Sequence, residues 1–358
     1  MNTDFSAEEP ATFSEYVMQQ VGLFLLQGPP LDPAVTGLIP RWLSRMAECE
    51  AARASARSER GIHVPSMMFL AVTGRCNLRC PHCYTQQYEK KDMPIPLARR
   101  ILTQARELGV SLFVISGGEP LLHREFFAIV RDMTEVPFLL FTNGFLAPRF
   151  LDDGLASPNL LWLVSVDGPR VLHDARRGAG GFDAAMTAMD ALRERRIPFG
   201  FSTTLCADNV DAAADPKFLA TLIERGCRYG SVQEQIPAPP SNPPLAERID
   251  AAIARCRTEL GIPITSFPAD EARFGGCQAG GGGLSHVSPD GFLEPCPVAR
   301  LAADSLADVS LEAALSNPFF KEFRELKDRF TRAQSCSYSG REETFEDALA
   351  RYGAHSTV

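Results

Sequence analysis

Read from the N-terminus, the hydrophobic pattern changes character three times. Residues 1–60 are acidic at the start and patterned as helix, with an apolar stretch from Tyr16 to Leu26, a break at Gly28-Pro29-Pro30 and a second helix over about 40–57. An amphipathic segment of this kind packs on a main domain or touches a membrane or partner; packing is the simpler expectation. Apolar, β-rich runs then recur at Met68–Val72, Ser111–Ile115, Pro137–Phe141, Leu161–Val166, Phe199–Thr204 and Arg228–Val232. Helical patterns separate them, for example Pro96–Leu108, Phe182–Arg195 and Pro216–Arg225. Strands alternating with helices of this length predict βαβ units and a parallel sheet, an α/β fold. Six units suit an incomplete barrel better than a closed eight-fold one.

After Ile236 the pattern breaks. Pro237, Pro239, Pro240, Pro243 and Pro244 form a linker that no helix or strand interior accepts. A helix near 245–260 follows. Residues 277–336 then read as a Gly-rich loop, a hairpin around Pro289-Asp290-Gly291 and a helix over Pro318–Phe330. No internal repeat marks a solenoid. The expected organisation is a helical extension over 1–62, a barrel over 63–240 and a separate C-terminal region over 241–358.

Composition narrows the function. The 358 residues, 45% hydrophobic and 22% charged, exclude a disordered or fibrous chain and allow a sizeable core. Thirty-six Lys+Arg against 44 Asp+Glu give a net charge of −8, which disfavours a nucleic-acid partner. No apolar run approaches the roughly 18 residues of a membrane span. Residues 1–40 contain no Lys or Arg, so the basic start of a secretory signal is missing. The expectation is a soluble, cytoplasmic protein.

The ten cysteines then carry the chemistry. Cys49, Cys206, Cys227 and Cys256 stand alone among apolar or helical neighbours and read as packing. The other six form two groups. Cys76-Asn-Leu-Arg-Cys80-Pro-His-Cys83 follows the first strand directly, on the loop side where parallel α/β barrels build active sites. Thiolates at this spacing converge on one metal centre. A structural zinc site needs four ligands and no fourth cysteine is near, whereas a [4Fe–4S] cluster on three thiolates keeps one iron open.

This Cys-x3-Cys-x-aromatic-Cys loop, with His82 in the aromatic slot, resembles the signature of radical S-adenosylmethionine (SAM) enzymes. Ser116-Gly117-Gly118-Glu119-Pro120 at the second strand's exit is similar to the family's Gly-Gly-Glu-Pro segment, as are Thr142-Asn143-Gly144 and Ser165-Val166-Asp167-Gly168 at the third and fourth. The likeness covers about residues 64–235. It implies a partial (β/α)6 radical SAM barrel in which Cys76, Cys80 and Cys83 hold the cluster and Gly117, Gly118, Glu119 and Pro120 hold the methionyl ammonium. His82 and Asn143 would join the cofactor site, and Ser165 and Arg177 would meet the SAM carboxylate, with Arg176 as alternate. Asp167 fits a general base or a buried structural carboxylate.

Cys277, with thirteen residues between it and Gly291 and then Gly-x4-Cys296, resembles the auxiliary-cluster region of the SPASM/Twitch subgroup, with Cys336 as a third ligand. Only one cysteine follows Cys296, so the shorter Twitch-like version fits better, and Cys296-Pro297 matches iron–sulfur usage elsewhere. A fourth ligand is open between Cys256, His286, a substrate atom and water. The run Gly275–Gly283 is not a phosphate loop, because no Lys-Ser/Thr follows it.

The resemblance implies reductive cleavage of SAM to a 5′-deoxyadenosyl radical, hydrogen abstraction from a substrate, and a net oxidation when an auxiliary cluster accepts a second electron. It implies an electron donor such as flavodoxin or ferredoxin. Relatives modify ribosomal peptides, mature cofactors or tailor antibiotics. Peptide modifiers often carry a leader-binding domain with a hairpin, and the helical residues 1–60 lack one, which favours a small molecule. Tyr229, Gln233 and Gln235 around the sixth strand are expected to face it. A non-catalytic iron–sulfur scaffold is the alternative from another class, and the intact Gly117–Pro120 segment speaks against it.

Overall fold

The computed structural model describes residues 9–26, 30–236, 244–330 and 336–358. Gly28, Pro29 and the prolines 237, 239, 240 and 243 lie outside the described residues. Nine strands form one sheet: β1 (Met67–Thr73), β2 (Leu112–Gly117), β3 (Phe138–Thr142), β4 (Leu160–Ser165), β5 (Phe199–Leu205), β6 (Gly230–Glu234), β7 (Ile264–Phe267), β8 (Leu284–Val287) and β9 (Leu293–Glu294). Their order is β7-β6-β5-β4-β3-β2-β1-β8-β9. β1 to β6 lie in chain order and are all parallel, so the six-unit partial barrel is the fold.

The residues explain the layers. A parallel sheet covered on both faces takes near-continuous apolar strands, and Leu160–Val164 are all fully buried. Alternation within each strand decides what faces the barrel interior: Leu112, Val114 and Ser116 of β2 line its cavity, while Phe113 and Ile115 point to the opposite side. The crossover helices include Ile95–Leu108, Phe126–Asp132, Gly181–Glu194 and Pro216–Glu224. The last begins where the sequence says it should, with Asp215 accepting the Lys217 N–H and Pro216 in the first turn.

The sheet continues past residue 240. β7 pairs parallel with β6, and β8 pairs parallel with β1, Leu284 opposite Met67. β9 returns antiparallel around Pro289-Asp290-Gly291, the expected hairpin. The C-terminal part thus supplies strands to both ends of the barrel sheet instead of standing apart from it. At four residues or fewer these strands are too short for periodicity to announce them.

The N-terminal segment packs, as the simpler expectation had it. Its helix Phe13–Leu26 lies against the strand starts, with Phe13, Tyr16, Val17, Val21 and Phe24 buried. Buried Arg228, just before β6, holds the helix end: Nε donates to Phe24 O at 3.0 Å and a terminal nitrogen to Leu25 O at 3.1 Å. Tyr16 donates to Asp270, which also accepts Arg257 at 2.7 and 2.8 Å. A second helix, Ile39–Arg60, packs against Ile95–Leu108. Among the described residues no helix is long and apolar enough to cross a membrane.

Candidate active site

β1 delivers the first cysteine group, and the loop is fixed at its root. Thr73 Oγ1 donates to Asp92 at 2.6 Å, and Arg75 grips the same carboxylate through Nε at 2.9 Å and a terminal nitrogen at 2.5 Å. The exit of β2 binds the loop from the other side: Gly118 N–H donates to Thr73 O at 2.8 Å and Glu119 N–H to Arg75 O at 2.9 Å. This contact accounts for the glycine pair. A Cβ on Gly118 would stand 2.0 Å from Arg75 O, and one on Gly117 2.4 Å from Thr73 O. The close approach that the glycines permit is to the cysteine loop itself. Between Cys80 and Cys83, His82 takes φ = 58°, a left-handed conformation that histidine adopts more readily than most residues.

Cys76, Cys80 and Cys83 all reach one cavity of ≈ 380 Å³. Three thiols from one loop are the donor set of a site-differentiated cluster. Among the described residues no three His, Cys, Asp or Glu side chains close around a single ion. Burial pushes the Cys76 thiol up to about 11 and raises Cys80 as well, a preference that a bound metal reverses by holding the thiolate.

The polar strand ends complete this wall. Gly117, Gly118, Asn143, Ser165, Arg176, Arg177 and His82 all border the cavity. Asn143 Nδ2 donates to Asn77 Oδ1 at 2.9 Å, steadying the cysteine loop from β3. Glu119 and Pro120 do not border it. Glu119 is buried behind the wall, where its carboxylate accepts Thr142 Oγ1 at 2.8 Å, Asn143 N–H at 2.8 Å and Leu121 N–H at 3.2 Å. Burial outweighs those bonds and pushes its carboxyl up to about 7. Asp167 is fully buried, off the wall. It accepts Arg177 Nε at 2.7 Å, Arg176 Nε at 3.2 Å and Thr204 N–H at 2.8 Å. Burial alone would raise its carboxyl, but the two guanidinium groups prevail and hold it below the ordinary value. A paired carboxylate of this kind positions arginines; it has no free oxygen poised as a base.

Cys277, Cys296 and Cys336 border the same cavity. β8 runs parallel to β1, so Cys277 before it lies towards the strand starts. β9 descends antiparallel and carries Cys296 the same way, and Gly280 N–H bonds Pro295 O at 3.0 Å to tie the two segments. The first group sits beyond the strand ends. Seven residues of β1 at ~3.3 Å each put the two ends ~20 Å apart.

Between them the wall is mostly apolar. Val17, Val21 and Phe24 of the N-terminal helix floor the cavity beside Met67, Leu112 and Leu284, the first residues of their strands. Tyr229, Gln233 and Gln235 do line it, but each is satisfied locally. Tyr229 shares a bond with Thr265 at 2.6 Å, Gln233 bonds Ser231 and Ser202, and Gln235 accepts from Arg176. Of the open choices for a fourth auxiliary ligand, Cys256 bonds Ala214 O at 3.2 Å and His286 bonds Glu294 at 2.5 Å, and neither borders the cavity. Sequence reasoning missed the floor helix, Glu234 and Glu271, all on the wall. Acids in a strand end and a loop carry no motif.

Residues 70–214 match the Radical SAM superfamily. AdoMet-dependent heme synthase of Oleidesulfovibrio alaskensis is 25% identical over 313 residues, 75% of this chain and 79% of that protein. A heme synthase of the same description from Methanosarcina barkeri is 29% identical over 157 residues, 42% of this chain, which spans only 45% of that protein's length. Sporulation killing factor maturation protein SkfB of Bacillus subtilis is 26% identical over 275 residues, 71% of this chain and 66% of that protein. The solved structure of Streptococcus suis SuiB bound to precursor peptide SuiA superimposes with a TM-score of 0.62 at 15% identity, covering 76% of this chain and 70% of that one. At that identity the likeness establishes the fold.

Proposed function

From the premise that this chain carries a radical SAM domain, with the [4Fe–4S] cluster and S-adenosylmethionine that the family uses, we propose that it abstracts hydrogen from a small metabolite or natural product and completes a net oxidation of it. One observation carries the reading: two three-cysteine groups border a single, largely apolar cavity. When bound, the cluster and SAM supply a 5′-deoxyadenosyl radical by one-electron cleavage of the sulfonium.

Cys76, Cys80 and Cys83 are assigned to that cluster. Gly117, Gly118, His82, Asn143 and Ser165 are assigned to the walls of the SAM site. Arg177, oriented by Asp167, is assigned to the SAM carboxylate, with Arg176 turned towards Gln235 as its alternate. Glu119 acts from behind by clasping the exit of β2 to the end of β3, and Pro120 opens the short turn after it. Cys277, Cys296 and Cys336 are assigned to an auxiliary cluster, the acceptor that a net oxidation needs. An apolar floor keeps water from a reactive carbon-centred radical. The reductant is assigned to the flavodoxin or ferredoxin class.

A cavity of this size takes a small molecule or one side chain of a larger one. The heme-synthase relatives support the small-molecule reading. SkfB, named for maturation of a sporulation killing factor, and PqqA peptide cyclase of Streptomyces rochei, 28% identical over 286 residues, keep a peptide substrate as the second reading.

The test is anaerobic reconstitution of wild type and of a Cys76→Ala/Cys80→Ala/Cys83→Ala variant, followed by SAM and a strong reductant. About eight irons in wild type and about four in the variant, with 5′-deoxyadenosine formed by wild type alone, is the expected result. About four and none would reduce the second group to structural cysteines. A loaded wild type that binds SAM but never cleaves it, across tetrapyrrole and peptide candidates, would overturn the enzyme reading. Deuterium transfer from labelled candidates into 5′-deoxyadenosine then separates the two substrate classes.

A further inference from the structure

The wall around Cys277, Cys296 and Cys336 holds another group of metal-binding chemistry, Glu271. It lies in the short 3-10 helix Ala269–Phe274 that follows β7 and is 7% exposed. Its Oε2 accepts the N–H of Gln278 at 2.9 Å, and Gln278 directly follows Cys277. Its backbone carbonyl accepts the N–H of Gly276, which directly precedes Cys277. Carboxylate and thiol are thus fixed in one tight loop. Among the described residues Oε1 accepts no hydrogen bond, and no ion pair meets the carboxylate. Glu271 borders the same cavity as Cys277, Cys296 and Cys336, and the loop that it ties carries the first of them.

Buried carboxylates are paired with a cation or coordinate a metal; the Lys327 charge acts on Glu271, with no ion pair between the two among the described residues. The competing donors are occupied elsewhere. Cys49 bonds Val110 O, Cys227 lies against Met189, Cys256 bonds Ala214 O, and none of these, nor Cys206, borders the cavity. Glu234 is also on the wall, but it closes β6, and among the described residues no hydrogen bond ties it to a segment that carries one of the three cysteines.

We propose that Glu271 is the fourth protein ligand of the auxiliary iron–sulfur cluster, completing Cys277, Cys296 and Cys336 through the oxygen that Gln278 leaves open. The inference rests on the auxiliary-cluster reading above. Its consequence is chemical: an iron set with four protein ligands offers no open position, so this end of the cavity takes an electron and does not bind the substrate to iron.

The test uses the Cys76→Ala/Cys80→Ala/Cys83→Ala chain as parent, so that only the auxiliary cluster is reconstituted. Iron and sulfide content, the EPR spectrum of the reduced cluster and its midpoint potential are read, with circular-dichroism melting of the iron-free proteins as the folding control. The parent is expected to hold about four irons. Glu271→Cys should keep that count while lowering the potential and changing the g-values, since a thiolate replaces a harder, less electron-donating oxygen. Glu271→Ala should lose iron or show an altered spectrum, and Glu234→Gln should match the parent in all three readings. The proposal is overturned if both Glu271 variants keep the parent's count, spectrum and potential, or if Glu234→Gln alone changes them. A folded parent that takes up no iron overturns the auxiliary-cluster reading itself, and this inference with it.

Discussion

Asp167 shows how much one side chain off the cavity wall can decide. It holds two arginines, and Asn replaces one charged oxygen with an amide that repels both. Asp167→Asn should cost about 3–5 kcal/mol, because it leaves guanidinium groups buried without their counter-charge. Urea unfolding of the iron-free protein measures this, and an unchanged midpoint would show that the arginines find another partner. His173 gives a pH prediction at the same corner, where its Nδ1 accepts the Asp167 N–H. Burial, aided by Arg177, pushes this imidazole down to about 4 from 6.5. Between those values the unfolded chain binds the proton and the folded one does not. The stability that His173 contributes is complete above about pH 6.5 and is lost as pH falls through about 4. His173→Gln should flatten that acid limb in unfolding midpoints taken from pH 4 to 7. At this scale the cysteine spacing, Asn143 and Ser165 were legible as positions on the cavity wall, since they sit at strand exits that local pattern marks, whereas Arg177 closes the helix after β4. The partners of Glu119 were not. Beyond Leu121 in its own turn, they lie 23 and 24 residues away, across a strand pairing that no local motif encodes.

Two elements meet where the cysteine loop crosses the exit of β2, and the meeting has no room for a side chain. Gly118→Ala drives a methyl group into Arg75 O and must displace the loop. The fold should survive, by far-ultraviolet circular dichroism, while reconstituted iron falls from about eight to about four per chain. Full iron retention would show that the loop relaxes at no cost to its thiols. The floor helix depends on a different junction. Arg228→Met leaves the Phe24 and Leu25 carbonyls short of a buried donor, at about 1–3 kcal/mol each. Hydrogen exchange should quicken across Phe13–Leu26 while β3 and β4 stay protected; equal protection in both would place the helix's anchorage in its apolar face alone. The six barrel strands were legible to within two residues at each end, because runs of buried aliphatics separated by helices allow few alternatives. The short β7 and β8 were not, and neither was the helix's destination. Its apolar face announces burial without saying against what.

Over the whole molecule, the sequence pattern divides the chain at residue 240 and the sheet does not. β8 satisfies the edge of β1 and β7 that of β6, so a chain ending at residue 236 would expose two parallel edges and the cavity wall between them. Such a truncation should aggregate or melt without a cooperative transition, where the full chain gives one. A soluble, cooperatively folded fragment would mean that the barrel is autonomous after all. The same closure explains why both cysteine groups share one cavity although about 190 residues of chain separate Cys83 from Cys277: the second group arrives on the strand that seals the edge beside the first.

The floor helix carries none of the six cysteines, and it comes from a stretch of chain remote from every strand exit that borders them. On the proposed function, part of the substrate wall therefore comes from a passage of the gene separate from the six cysteines. Changes at Val17, Gln20 or Val21 reshape what is admitted while leaving untouched the residues around which the reaction turns.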